Sequence, residues 1–378
     1  MMTQDIFFTT KVASGKTFCN LIQERERLLN NISKGQHTVV VAPRRYGKTS
    51  LVCYVLEESE VLYGKIDLFC AVYEKDICDK ISRAVSKVVN RILPFSQKAI
   101  KLIEQYFKNT SIGIKAGQFE LKIEAARASF DPSQQIQDLL EGLEGLAEKN
   151  NQKIVLFFDE FQDLLKADDS LKLQAAIRAV AQVSRHVVYI FSGSSRVMLK
   201  KIFENRNQPL YMLCNKIILE RISVEALSQH IQAAAEARWR KSLNTEQITE
   251  ILALTETHPY YTNMLCDKVF DHKKLPVIAD INRCWDECLL EQYDKIIADL
   301  FPLNTNRLKV LTQMALFGPI AEPNSKAFLD CTGLALGSLQ KAIDYLMDYD
   351  YLYKSTEGYT LVDPLMKKFI ILKTAVDS

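Results

Sequence analysis

Residues 38–50 read Thr-Val-Val-Val-Ala-Pro-Arg-Arg-Tyr-Gly-Lys-Thr-Ser, and no other stretch limits the fold of this chain so tightly. The β-branched run Thr38 to Val41 suits a buried strand. It breaks into a loop with the ending of a phosphate cradle, Gly47-Lys48-Thr49, in which Ala42 takes the first glycine position of a variant Walker A. The order follows from the chemistry. A strand aims the loop, and the backbone N–H groups of Ala42, Pro43, Arg44, Arg45, Tyr46, Gly47, Lys48, Thr49 and Ser50, proline excepted, are available to curl around phosphate oxygens. Gly47 permits close backbone approach, Lys48 reaches the outer phosphates and the Thr49 hydroxyl holds Mg²⁺. Ser50-Leu51-Val52 then opens an apolar helix whose dipole adds to the anion site.

A second string supports the first. Lys-Ile-Val-Leu-Phe-Phe-Asp-Glu-Phe-Gln, residues 153–162, is a buried-strand run that ends in two carboxylates. Asp159 is placed to hold the Mg²⁺ shell, and Glu160 sits where a hydrolytic P-loop enzyme keeps the base for the attacking water. An ordinary core strand with a solvated acidic cap is the competing reading, and the pairing with residues 42–50 weighs against it. The strand at 187–191 ends in Ser192-Gly193-Ser194-Ser195, where Ser194 is the candidate γ-phosphate sensor. Guanine recognition would call for Asn-Lys-x-Asp after a late strand. The nearest candidate, Asn215-Lys216-Ile217-Ile218, lacks the Asp, so ATP is the expected nucleotide.

With 378 residues, 48% of them hydrophobic, the chain has material for two to three domains with proper cores. Strand-like runs at 38–42, 66–72, 154–158, 187–191 and 216–219 alternate with helical periods at 76–92, 134–148 and 171–183. That alternation predicts an α/β fold, a P-loop core with a parallel sheet. Expected domains are a lead-in with a helix (1–35), the ATPase core (36–222), a helical lid (223–300) and a winged helix (301–378). Residues 111–124 alternate around a glycine-containing turn and predict a hairpin projecting from the core. Ser223 and Asn244 are the expected N-caps of the first lid helices, and His258-Pro259 breaks the pattern before a third.

Several classes are disfavoured. Uninterrupted apolar runs are only a handful of residues, far short of the ~20 needed for a membrane span, and Met-Met-Thr-Gln-Asp carries no signal-peptide pattern. The nine cysteines are scattered; Cys53, Cys70 and Cys266 lie in apolar patterns and read as reduced, buried thiols of a cytoplasmic protein. Net charge is +2, and residues 301–378 hold eight basic and eight acidic side chains. The helix expected at 336–348 sets Lys341 against Asp344 and Asp348, a poor supply of cations for phosphates and base edges. A protein-contacting or autoinhibitory role therefore outranks DNA reading for this module, with nucleic acid left as the rival partner.

Taken together, Pro43 to Ser50, Asp159-Glu160-Phe161-Gln162, Ser192-Gly193-Ser194, His258-Pro259-Tyr260 and Asp363-Pro364 resemble the prokaryotic, archaeal-type ATPases of the STAND class, relatives of the AAA+ proteins. The resemblance spans nearly the whole length. It implies a slow, nucleotide-gated ATPase with Pro259 near the adenine, and it allows self-association. Four arginines are candidates to complete the site: Arg44, Arg45, Arg196 and Arg206. Arg206, at the end of the short helix after the sensor strand, is the one expected to reach a neighbouring subunit's nucleotide; a surface arginine beside Pro209 is the alternative. Three functional classes stand at this point: an ATP-dependent switch acting on a protein partner, a nucleic-acid-handling factor of the initiator or transposition-helper kind, and a protein that keeps ATP as a structural ligand. Intact Lys48, Thr49, Asp159 and Glu160 count against the third, and the balanced charge of residues 301–378 counts against the second.

Overall fold

The computed structural model describes residues 7, 11–13, 15–19, 21–107, 111–115, 118–122 and 131–377. Two compact units emerge. One comprises Leu21–Ala42 and Lys48–Leu219; the other comprises Met1–Asn20, Pro43–Gly47 and Glu220–Ser378.

The first unit is built on a parallel five-stranded sheet. Its strands are β1 (Thr38–Val41), β2 (Leu62–Asp67), β5 (Ile154–Asp159), β6 (Val187–Gly193) and β7 (Asn215–Ile218), in the spatial order β2-β5-β6-β1-β7. β3 (Ser111–Lys115) and β4 (Gln118–Lys122) form a separate antiparallel pair. Every residue of β1, β5 and β6 is buried, as strands covered on both faces require. The order places β6 between the loop strand β1 and the carboxylate strand β5, with Phe158 opposite Phe191 and Val41 opposite Gly193. The polar ends of β5 and β6 therefore open side by side at the carboxyl edge of the sheet. Helices Glu74–Ile92, Pro132–Lys149 and Ser170–Ala181 supply the apolar cover.

Three expectations need correction here. The strand placed at 66–72 lies at Leu62–Asp67. The apolar run Leu68 to Val72 imitates a strand, but the Asp67 carboxylate accepts the Phe69 N–H at 3.0 Å and Cys70 adopts φ 58°, which turns the chain out of the sheet. Cys70 is accordingly exposed rather than a core thiol. The hairpin forms with Ile112 opposite Leu121, but it does not project: Phe119 and Leu121 are core residues. Asn90 bonds both the N–H and the carbonyl of Phe119, and Ser86 accepts the Leu121 N–H. Of that hairpin, residues 116–117 and 123–124 lie outside the described residues, as do residues 1–6 of the lead-in. Helix Gln97–Tyr106, capped by Ser96, is an addition to the expected elements. Tyr106 and Phe107 at its end press so closely on Gly142 and Gly145 that a β-carbon at either glycine would meet an atom at 2.7 Å.

The second unit is mainly helical. Ser223 and Asn244 cap helices Val224–Trp239 and Thr245–Thr255 as expected, the latter through a full capping box with Gln247. Helices Pro259–Phe270, Ile278–Glu291 and Tyr293–Leu300 follow. Next come helices Thr305–Phe317, Lys326–Thr332 and Leu336–Asp348, then the antiparallel strands β8 (Leu352–Lys354) and β9 (Tyr359–Leu361). Ile320 adds a bridge to Tyr359. A final helix, Pro364–Asp377, begins at the Asp363-Pro364 pair. Among the described residues no helix is long and apolar enough to cross a membrane.

Candidate nucleotide site

The chemistry-bearing groups of the first unit gather at the carboxyl ends of β5 and β6. Asp159 is buried and accepts three donors: Ser192 Oγ at 2.5 Å on Oδ1, with Thr49 Oγ1 and Lys65 Nζ both at 2.9 Å on Oδ2. Burial alone would push this carboxyl up. The Lys65 ammonium and the hydrogen bonds from Ser192, Lys65 and Thr49 outweigh it and hold Asp159 below the ordinary carboxylate range. Thr49 and Asp159, expected as the metal pair, are thus brought into direct contact. The donor set is hard oxygen throughout and suits Mg²⁺. Lys48, at the start of helix Lys48–Glu58, is buried with Nζ donating to the Ala42 carbonyl at 3.0 Å.

Glu160 follows Asp159 in a left-handed conformation, φ 50°, which is unfavourable for a residue with a side chain. Its Oε2 accepts from Ser194 Oγ at 2.9 Å and from Gln162 Nε2 at 2.6 Å. The expected base and the expected sensor therefore share one hydrogen-bond network. Gln162 closes it with a longer contact, 3.4 Å, to the Ser194 hydroxyl. Gly193 makes room: a β-carbon there would stand 2.1 Å from Gln162 Oε1.

Three participants went unassigned at the sequence level. Ser192 belongs to the Ser192-Gly193-Ser194-Ser195 string, in which Ser194 is the expected sensor. Gln162 closes the Asp159-Glu160-Phe161-Gln162 string without a predicted role. Lys65 had no signal beyond being a charge inside a strand, and the strand itself was misplaced. Asn215-Lys216-Ile217-Ile218 is the edge strand β7, where the Asn215 side chain bonds Asn31 and Gln36, which leaves it a structural segment. Arg196 opens the short helix Arg196–Glu204. Arg206 is exposed in the turn beyond that helix, not at its end as expected.

In the second unit the loop tip Pro43–Gly47 has its own surroundings. The Arg45 guanidinium lies over the Tyr260 ring, 4.2 Å from its centroid. Tyr46 is buried, its ring edge-on to His258 at 4.6 Å. His258 caps helix Pro259–Phe270 by accepting the Tyr260 N–H on Nδ1, which fixes the neutral tautomer with hydrogen on Nε2. Burial, then the nearby Arg221 cation, holds its pKa well below the ordinary histidine value. His258 also contacts Tyr261, at 4.8 Å between ring centroids, and the Tyr261 hydroxyl is hydrogen-bonded to Asp363 at the head of the last helix. Arg221 ties the same region together. It bonds Glu256 at 2.7 Å and the carbonyl of Leu361 at 3.1 Å, while Lys367 holds the other Glu256 oxygen at 2.6 Å.

A phosphate-cradle sequence between a buried strand and a helix, a carboxylate in contact with the loop threonine and a second carboxylate one residue on define a P-loop NTPase, a class that binds nucleotide with Mg²⁺. Within that class the chain belongs to the KAP family, whose P-loop domain it matches over residues 14–300. No curated protein matches it in sequence. Among solved structures, a Walker-type ATPase of Pyrococcus abyssi is similar at 15% identity and a TM-score of 0.71, over 97% of this chain and 99% of that one. The ORC2 protein of Aeropyrum pernix is similar at 12% identity and a TM-score of 0.54, over 99% of each chain. Both likenesses establish a shared fold.

Proposed function

We propose that this protein is a Mg²⁺-dependent ATPase that works as a nucleotide-gated switch, in which the state of the 42–50 loop governs the C-terminal elements and their grip on a protein partner. The observation that carries this reading is the chain of contacts within the second unit. It runs from Arg45 and Tyr46 at the loop tip, through His258, Tyr260 and Tyr261, to Asp363 beside β9. A loop that rearranges around phosphate cannot keep all of these contacts unchanged, so the C-terminal elements would register what the loop holds.

The contacts at the ends of β5 and β6 support one division of roles. The loop backbone and Lys48 take the phosphates, for which Lys48 gives up the Ala42 carbonyl. Thr49 and Asp159 hold Mg²⁺, which supplies charge neutralisation at the phosphates. Glu160 takes the proton of the attacking water, and Ser194, already hydrogen-bonded to Glu160, orients that carboxylate or reads the γ-phosphate. Pro259 is assigned to the adenine by the STAND-class resemblance, which the His258-Pro259-Tyr260 string supports. Arg206, exposed beyond its helix, is assigned to a neighbouring subunit's nucleotide in a homo-oligomer.

We read residues 301–378 as a winged helix, with 1–35, 36–222 and 223–300 as lead-in, ATPase core and lid. The exposed face of helix Leu336–Asp348 offers Lys341 against Asp344 and Asp348. That balance favours a protein surface over DNA as its target. Nine free cysteines fit a reducing cytoplasm.

The test is a pair of variants. Lys48→Ala should lose most of its ATP affinity in calorimetry. Glu160→Gln should bind ATP as the parent does but hydrolyse it ~10²–10⁴-fold more slowly. Parent-like turnover in Glu160→Gln would show that Glu160 is not the base for the attacking water.

A further inference from the structure

β2 runs parallel to β5 with Asp67 opposite Asp159, and Lys65 lies two residues earlier on the same face. From there its ammonium reaches Asp159 Oδ2 at 2.9 Å, the oxygen that also accepts from Thr49. Orientation of the carboxylate does not require this contact: Ser192 fixes Oδ1 and Thr49 fixes Oδ2. What Lys65 adds is charge. A monovalent cation sits on the carboxylate that the metal reading assigns to a divalent one, and two cations on one carboxylate repel each other strongly in a partly buried site. Lys65 also has somewhere to go. Its side chain is 32% exposed, and the exposed Asp67 on its own strand adds to the negative field around it.

We propose that Lys65 is a built-in competitor for the metal position: its ammonium neutralises Asp159 in the metal-free protein and swings toward Asp67 when Mg²⁺ binds. Lys65 would thereby set how much Mg²⁺ the protein needs before it holds nucleotide firmly. This inference rests on the reading of Asp159 as part of the metal site.

The experiment measures binding of a fluorescent ADP as a function of Mg²⁺ concentration in the full-length parent, Lys65→Met and Lys65→Arg proteins. Met keeps the aliphatic stem and removes the charge. Lys65→Met should reach half-maximal binding at roughly tenfold lower Mg²⁺, while Lys65→Arg stays near the parent. A second readout uses the parent alone: acylation of Lys65, followed by mass spectrometry, should be faster with ADP and Mg²⁺ than with ADP and a chelator. An unchanged or higher Mg²⁺ requirement in Lys65→Met, or equal acylation in both conditions, would overturn the proposal while leaving the metal site standing. A parent whose ADP binding ignores Mg²⁺ would overturn the metal reading and this inference with it.

Discussion

His258 shows how one buried side chain can carry a measurable consequence. Its folded-state pKa is lowered well below 6.5, so as pH falls through that value the unfolded chain takes up a proton that the folded one refuses. Stability is then present above about 6.5 and lost below it, at up to about 1.4 kcal/mol per pH unit for one such group. His37 and His230, also lowered by burial, act in the same direction. Asp363 acts oppositely. Burial raises its pKa, so the stability it contributes is present at low pH and is lost as pH rises through its folded value. His258→Asn keeps a side-chain acceptor for the helix cap and removes the titration. Urea denaturation at about pH 7.5 and about pH 5.5 should show the parent losing stability on acidification and the Asn variant losing less. Equal losses would mean that His258 is protonated without strain.

At the level of elements, the edge where β5 and β6 end depends on a missing β-carbon. Gly193→Ala should push Gln162 off Glu160 and cost about 1–3 kcal/mol, the usual range for overpacking. Thermal or urea unfolding in a double-mutant cycle with Gln162→Ala should recover most of that loss. A full loss that persists in the double variant would place the clash elsewhere. This same edge shows what was legible in the sequence. Buried strands announce themselves by composition, so β1, β5 and β6 are readable, as are Asp159 and Glu160 where β5 ends and Lys48 and Thr49 at the head of the helix after β1. β2 is not, because Gly64, Lys65 and Asp67 interrupt its apolar pattern while the turn after it imitates a strand. Lys65 therefore went unseen, since its partner is 94 positions away and only the parallel register brings them together. Helix Pro364–Asp377 has its start signal in Asp363-Pro364, but the sequence after it lacks a clear polar face to mark the helix.

In the molecule as a whole, the tip of the loop touches residues more than two hundred positions further along the chain, Arg45 against Tyr260 and Tyr46 against His258. If Arg206 completes a neighbour's site, specific activity should rise with protein concentration, and mixing Arg206→Ala with Lys48→Ala should restore part of the hydrolysis. An arginine finger contributes ~10³–10⁵-fold, so even partial rescue is readable. Concentration-independent turnover with no rescue would leave a monomeric switch. Whether the loop's nucleotide state reaches the C-terminal elements is read out by hydrogen exchange on the full-length Glu160→Gln protein with and without Mg²⁺ and ATP. Altered protection is expected at residues 42–50, at 258–261 and at 359–366 together. Changes confined to 42–50 and its strand, with 258–261 and 359–366 exchanging identically in both states, would contradict it.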